Sequence, residues 1–126
     1  MKNPLPEFLP CVVWSMRSKW YWVYILTNVK KTVLYTGVTN DLKQRIIEHW
    51  TARGRNNSFT SRYHTYYLLH YECFQYINDA IAREKEIKNW RREKKMQLIG
   101  ELNPKLEFLN KELFGSWPPK EITSRM

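Results

Sequence analysis

Tyr21-Trp22-Val23-Tyr24-Ile25-Leu26 is an unbroken aromatic and β-branched run, the composition that favours a strand. A polar break, Asn28-Val29-Lys30-Lys31, separates it from a second such run, Thr32-Val33-Leu34-Tyr35-Thr36-Gly37-Val38. Two runs across a short polar break predict a β-hairpin. With a turn of Asn28 to Lys31, Thr27 faces Thr32 and Tyr24 faces Tyr35. Directly opposed residues share a face, so the two phenols are expected side by side.

The period then changes. Thr39-Asn40-Asp41 supplies N-cap candidates, and Leu42, Ile46 and Trp50 recur every four residues, the apolar stripe of a helix over about 42–50. Arg45 and His49, also four apart, border that stripe. Arg53 to Ser58 reads as a polar, basic loop, and Phe59 to Tyr63 leads into a third strand, Tyr66 to Glu72. Asn78 or Asp79 caps a long helix from about Ala80 to Trp90, and Arg91 to Gly100 forms another, with Met96 and Ile99 as buried candidates, ended at Asn103-Pro104. The order β-β-α-β-α-α predicts an α+β fold, a three-stranded antiparallel sheet flanked by helices.

One domain is expected over 20–109, behind a proline-bearing extension at 1–19 and ahead of a loosely ordered tail at 110–126. Met16 is an alternative start to Met1. Composition adds a partner. Lys+Arg is 21 against Asp+Glu 12, a formal charge of +9, which points to a polyanion such as nucleic acid. A cationic membrane-surface protein is the rival, but no basic amphipathic helix is left over from core duties. No apolar run approaches a membrane span, and the first twenty residues lack the pattern of a signal peptide. Cys11 and Cys73 show no zinc spacing and no disulfide framework, so a reducing cytoplasm is the expected setting.

Several chemistries are excluded: the chain has no glycine-rich phosphate loop, no His-Glu-x-x-His helix and no Cys-x-x-Cys pair. Glu84 is the informative acid. Ile77, Ala80, Ile81, Ile87 and Lys88 share its helical phase, so it falls on or beside the core-facing side, where an unpaired carboxylate is costly. Pairing with Lys88 or an edge position is its plainer role. Arg45 and His49 have a plainer role as a charged helix flank, Tyr24 and Tyr35 as core aromatics, and Asn103 as a helix stop.

Taken as an ordered set, these residues resemble the GIY-YIG nuclease superfamily. Trp22-Val23-Tyr24 stands where the family has Gly-Ile-Tyr, and Tyr35-Thr36-Gly37 where it has Tyr-Ile-Gly. Arg45 follows the second tyrosine at the family's spacing, and His49 stands where members carry His or Tyr. Ala80 to Ile87 resembles the segment bearing the metal-binding glutamate, which maps to Glu84, and Asn103 matches a late asparagine. The likeness covers about Trp20 to Leu109 and is closest to small standalone bacterial members, similar to the N-terminal catalytic domain of the bacterial excision-repair nuclease. Val38 stands where some relatives place a lysine near the site.

The resemblance implies hydrolysis of DNA with one magnesium or manganese ion on Glu84 and no small-molecule cofactor, in DNA repair or processing. It implies that Arg45 binds the reacting phosphate, that Tyr24 or Tyr35 activates the attacking water, with Tyr24 the first choice, and that His49 relays a proton or bonds the phosphate. A tyrosine with pKa near 10 needs roughly 4 kcal/mol of differential stabilisation to act as an anion at neutral pH. Gly37 is expected to admit backbone close to the phosphate or to take an unusual dihedral. Arg83, Lys85, Lys88, Arg91, Arg92, Lys94 and Lys95 are candidates for tracking flanking phosphates. The alternatives are a nucleic-acid-binding module on the same fold that does not cut, and a protein-interaction domain whose charge is incidental.

Overall fold

A computed structural model describes residues 20–53, 55 and 58–118. The expected extension at 1–19, Met16 and Cys11 included, and the end of the tail lie outside them. The elements are β1 (Tyr21–Thr27), β2 (Leu34–Thr39), α1 (Leu42–Thr51), α2 (Phe59–Tyr63), β3 (Tyr67–Phe74), α3 (Ile77–Lys88), α4 (Arg92–Leu102) and α5 (Asn110–Phe114). The sheet is antiparallel in the order β2-β1-β3, as the α+β expectation required. Placing β1 in the centre follows from its composition: all of its residues after Tyr21 are buried, and only a strand covered on both faces has use for a run of that kind.

Strand alternation splits β1 between two cores. Trp22, Tyr24 and Leu26 join Leu42, Ile46, Leu68 and Cys73 on the α1 side. Val23 and Ile25 join Leu69, Ala80, Ile87, Leu98 and Ile99 on the side of α3 and α4. Each fully buried Leu or Ile contributes about 1.5–3 kcal/mol. Met96, expected in this core, packs at its margin, half-buried.

The hairpin register differs from expectation. Thr27 pairs with Leu34 rather than Thr32, Tyr24 with Gly37, and Tyr35 with Leu26. The cause is Asn28: its side-chain oxygen accepts from the backbone N–H groups of Thr32 and Val33 (2.8 and 3.1 Å), and Thr27 Oγ1 donates to the Val33 carbonyl at 2.8 Å. Those bonds hold Thr32 and Val33 in the loop. The displacement is even, so Tyr24 and Tyr35 keep a common face.

Other boundaries moved for physical reasons. Asp41 is the cap of α1, accepting from Gln44 N–H at 3.1 Å. In α3 the cap position is Tyr76, without a side-chain bond, and Asp79 sits instead in the first turn, where a carboxylate suits the helix dipole. Phe59 to Tyr63 is a helix rather than a strand approach. Ser58 accepts from Ser61 N–H at 3.2 Å, and His64 closes the helix in the left-handed region.

The domain does not stop at 109. Leu109 N–H donates to the Leu68 carbonyl at 2.8 Å. Asn110, buried, accepts from Leu68 N–H at 2.7 Å and donates to the Tyr66 carbonyl at 2.9 Å. One side chain thus satisfies backbone groups along the β3 edge. Leu113, Phe114 and Trp117 then pack on the α1-side core. Cys73 is disulfide-bonded, against the expectation from cysteine spacing. No described helix is long and apolar enough to cross a membrane.

Candidate active site

Tyr24 projects from central β1 across Gly37 of the edge strand β2. A Cβ built at Gly37 would stand 2.5 Å from Tyr24 Cζ and 3.1 Å from Cε1. Gly37 is a mid-strand residue, and the positive-φ residues among those described are Lys31, His64, Leu106 and Gly115. The expected unusual dihedral is therefore absent. Gly37 lacks a Cβ so that the Tyr24 ring can lie over β2 and carry its hydroxyl toward the sheet edge.

Three rings meet there. The centroids of Tyr24 and Tyr35 are 6.3 Å apart, Tyr24 and His49 6.2 Å, and Tyr35 and His49 5.7 Å. Tyr24 Oη lies 3.3 Å from His49 Nε2, and His49 Nδ1 lies 2.9 Å from Thr60 Oγ1. Burial, helped by the Arg45 charge, depresses His49 to about 4, so it is neutral at pH 7. A neutral ring donates from one nitrogen and accepts at the other. With the proton on Nδ1, it donates to Thr60 and accepts the Tyr24 O–H at Nε2. Both nitrogens are then engaged within the protein.

Burial also pushes Tyr24 up to about 12, and the neighbouring Tyr35 adds to the rise, while Arg45 opposes it. Tyr24 is therefore a neutral phenol at pH 7. Making it an anion there would require on the order of 7 kcal/mol, well beyond the sequence-based figure, because only the structure reveals the burial.

Arg45 stands one turn before His49 on α1, half exposed. Burial works against its charge, but Glu48, 2.9 Å away, and the Tyr24 hydroxyl more than compensate. An exposed Arg–Glu pair of this kind is worth little, so the guanidinium is available to a competing anion. An open depression beside it is lined by Val38, Asn40, Asp41 and Gln44.

Glu84 comes from α3 on the opposite side of the sheet, yet its charge acts on Tyr24. That is possible because α3 packs on β1 and β2 and the Tyr24 ring reaches the same β2 edge. Glu84 is 8% exposed, and its Oε2 is 2.8 Å from Lys88 Nζ. The plainer sequence reading, a pair with Lys88, is thus present. So is a feature the metal reading needs, a buried carboxylate holding a cation whose own side chain is half solvated. Among the described residues no three His, Cys, Asp or Glu gather as a cage. One carboxylate fits a magnesium-like ion, which keeps most of its waters, and does not fit a structural zinc.

The remaining candidates separate. Asn103 donates to the Leu69 and Glu107 carbonyls (3.1 and 2.9 Å) and accepts from Glu107 N–H at 3.0 Å. It ties the end of α4 to β3. Arg83 is held by Glu72 through Nε and a terminal nitrogen (2.8 and 3.1 Å) and by Glu86 at 3.0 Å, so it braces α3 on β3 rather than facing a phosphate. Arg92 donates to the Lys31 and Thr32 carbonyls. Lys94 lies over the Trp90 ring at 4.4 Å. Lys85 and Arg91 are exposed and Lys95 half-buried.

Sequence reasoning missed Thr60, which anchors His49, and the His70–Glu72–Arg83 cluster. Ser58 ahead of Phe59 was an ordinary cap signal for α2; nothing local pairs Glu72 with Arg83. Burial would raise the Glu72 carboxyl, but bonds from His70 and Arg83 outweigh it and hold it at about 2. A carboxyl below its ordinary 4.5 stabilises the fold fully above that value and loses the contribution as pH falls through about 2. His49, below its ordinary 6.5, likewise favours the fold less as pH falls from 6.5 toward 4. Melting temperature is therefore expected to drop on acidification in two stages. His49→Gln should flatten the upper stage and Glu72→Gln the lower. Unchanged acid profiles in both variants would contradict this assignment.

The chain also resembles known proteins in sequence. The model of the GIY-YIG catalytic domain matches residues 20–97. A UPF0213 protein of Haloquadratum walsbyi is 39% identical over 84 residues, covering 67% of this chain and 91% of that protein. A UPF0213 protein of Staphylococcus saprophyticus is 36% identical over 81 residues, 64% of this chain and 95% of that one. The solution NMR structure of a UPF0213 protein from Bacillus halodurans is 30% identical, with a TM-score of 0.43 over 67% of this chain and 86% of that chain.

Proposed function

The chain belongs to the GIY-YIG catalytic-domain family, and from that membership and the geometry at the β2 edge we propose that it is a metal-dependent endonuclease hydrolysing phosphodiester bonds in DNA. The observation that carries this reading is the convergence of Tyr24, His49 and Arg45 on one point, which Gly37 makes possible. A core packed only for stability has no need to place a phenol, a neutral imidazole and a half-exposed guanidinium together.

Arg45 presents a planar fork to the phosphate and exchanges its weak bond with Glu48 for charge-assisted bonds to non-bridging oxygens. Tyr24 acts as a phenol. Its oxygen accepts the proton of the attacking water while its own proton passes to His49 Nε2, so no free tyrosinate forms. The bound phosphate offsets the Arg45 charge that helps depress His49, making the imidazole a better acceptor when substrate is present. Glu84 would hold magnesium or manganese, which supplies stabilisation of charge on the phosphate and on the leaving oxygen. Exposed cations on α3 and at the start of α4, Lys85 and the cap residue Arg91 among them, supply attraction to the flanking backbone. Repair or processing of DNA is the role that suits such a site.

The test is cleavage of duplex, nicked, branched and single-stranded DNA, and of RNA, with magnesium or with chelator, alongside binding across a salt series. Magnesium-dependent cleavage is expected, and log affinity should fall linearly with log salt, with a slope of several units. Binding without cleavage of any substrate would leave a non-catalytic module in its place, and a salt-independent response would remove nucleic acid as the partner.

A further inference from the structure

Helix α2 is amphipathic in the wrong sense for a free surface. Its polar residues Thr60 and Ser61 are buried, fixed to His49 and to the Ala52 carbonyl (2.9 and 3.1 Å), whereas Phe59 and Tyr63 are 42% and 43% exposed. Burial of apolar surface favours the reverse arrangement. The two rings continue the site. Phe59 stacks on Tyr35 with centroids 5.7 Å apart and planes at 29°, and Tyr63 lies 4.7 Å beyond Phe59. Arg62 is exposed on the same short helix and Arg55 is exposed just before it, so the shelf carries positive charge beside its aromatic faces.

An exposed aromatic pair flanked by arginines and joined ring to ring with a phosphate site matches the chemistry of an unpaired nucleotide: a flat base to stack and a phosphate to neutralise. A paired base keeps its faces against its neighbours in the duplex and offers none to this shelf. We propose that Phe59 and Tyr63 form a stacking site for an unpaired nucleobase adjoining the phosphate that is cut, so that the protein selects DNA with a single-stranded or unstacked segment. This rests on the nuclease reading of the neighbouring site and adds a substrate class to it.

The experiment measures binding in chelator, without cleavage. The probes are oligonucleotides carrying 2-aminopurine, a base whose fluorescence is quenched by stacking, either in a single-stranded overhang or within a duplex. Wild-type protein is expected to quench the overhang probe and to bind it more tightly than the duplex. In Phe59→Leu/Tyr63→Leu, which keeps apolar side chains against Tyr35, quenching should disappear and overhang affinity should fall about tenfold or more. Duplex affinity and its salt slope should stay. Absence of quenching by the wild type overturns the proposal even if the variant does not fold, and so does a folded variant that keeps wild-type overhang affinity. Equal, salt-sensitive binding of both probes would remove the stacking site alone; failure to bind any probe would remove the DNA reading with it.

Discussion

Glu84→Gln is expected to abolish magnesium-dependent cleavage while leaving DNA binding and folding largely intact. The substitution keeps volume and hydrogen-bonding capacity at a position that is 8% exposed, so it opens no cavity. It releases Lys88, whose ammonium solvates readily because the side chain is half exposed. What is lost is the anionic charge, and with it the carboxylate that the proposed reading assigns to a hard cation. Two readouts check this: single-turnover cleavage with magnesium, and manganese binding followed by its paramagnetic signal. Full activity in the variant would take Glu84 out of the site. Loss of activity with unaltered manganese binding would assign it another role.

Gly37→Ala is expected to be nearly as damaging to turnover, through a different route. The new methyl would overlap the Tyr24 ring, which is 1% exposed and flanked by Tyr35 and His49. The ring must move, at an overpacking cost of about 1–3 kcal/mol. Its hydroxyl then leaves the position facing His49. Misplacement of a reacting group by about 1 Å costs on the order of a hundredfold in rate, so turnover should fall by that much while DNA affinity, which the proposed reading assigns mainly to cations away from Tyr24, changes little. Gly100→Ala is the matched control. A Cβ there meets nothing within 4 Å, and in the interior of α4 alanine should stabilise by up to ~1 kcal/mol. Equal turnover in the two variants would mean that the position of Tyr24 does not matter to the chemistry.

The sequence by itself determined the layers and picked out the candidate residues, Tyr24, Tyr35, Arg45 and His49, that the fold brings together at the β2 edge. The apolar run in β1, the four-residue stripe of α1 and the phase of Glu84 are local periodicities, and local periodicity is what fixes which face of an element is buried. It also placed Tyr24 and Tyr35 on one face, and that survived a hairpin longer than expected because strand faces repeat every second residue. Tertiary structure decided whatever depended on neighbours distant in sequence. Asn28 set the loop with its side chain, a bond no periodicity reports. The clearance over Gly37 exists only because Tyr24 crosses it from another strand. Arg83, basic and helical like the lysines around it, is taken up by Glu72 from β3, and Asn110 closes the β3 edge from beyond the expected boundary. The protonation states of Tyr24 and His49 were likewise out of reach, because desolvation is a property of what surrounds a group, and the surroundings are assembled only when the chain has folded.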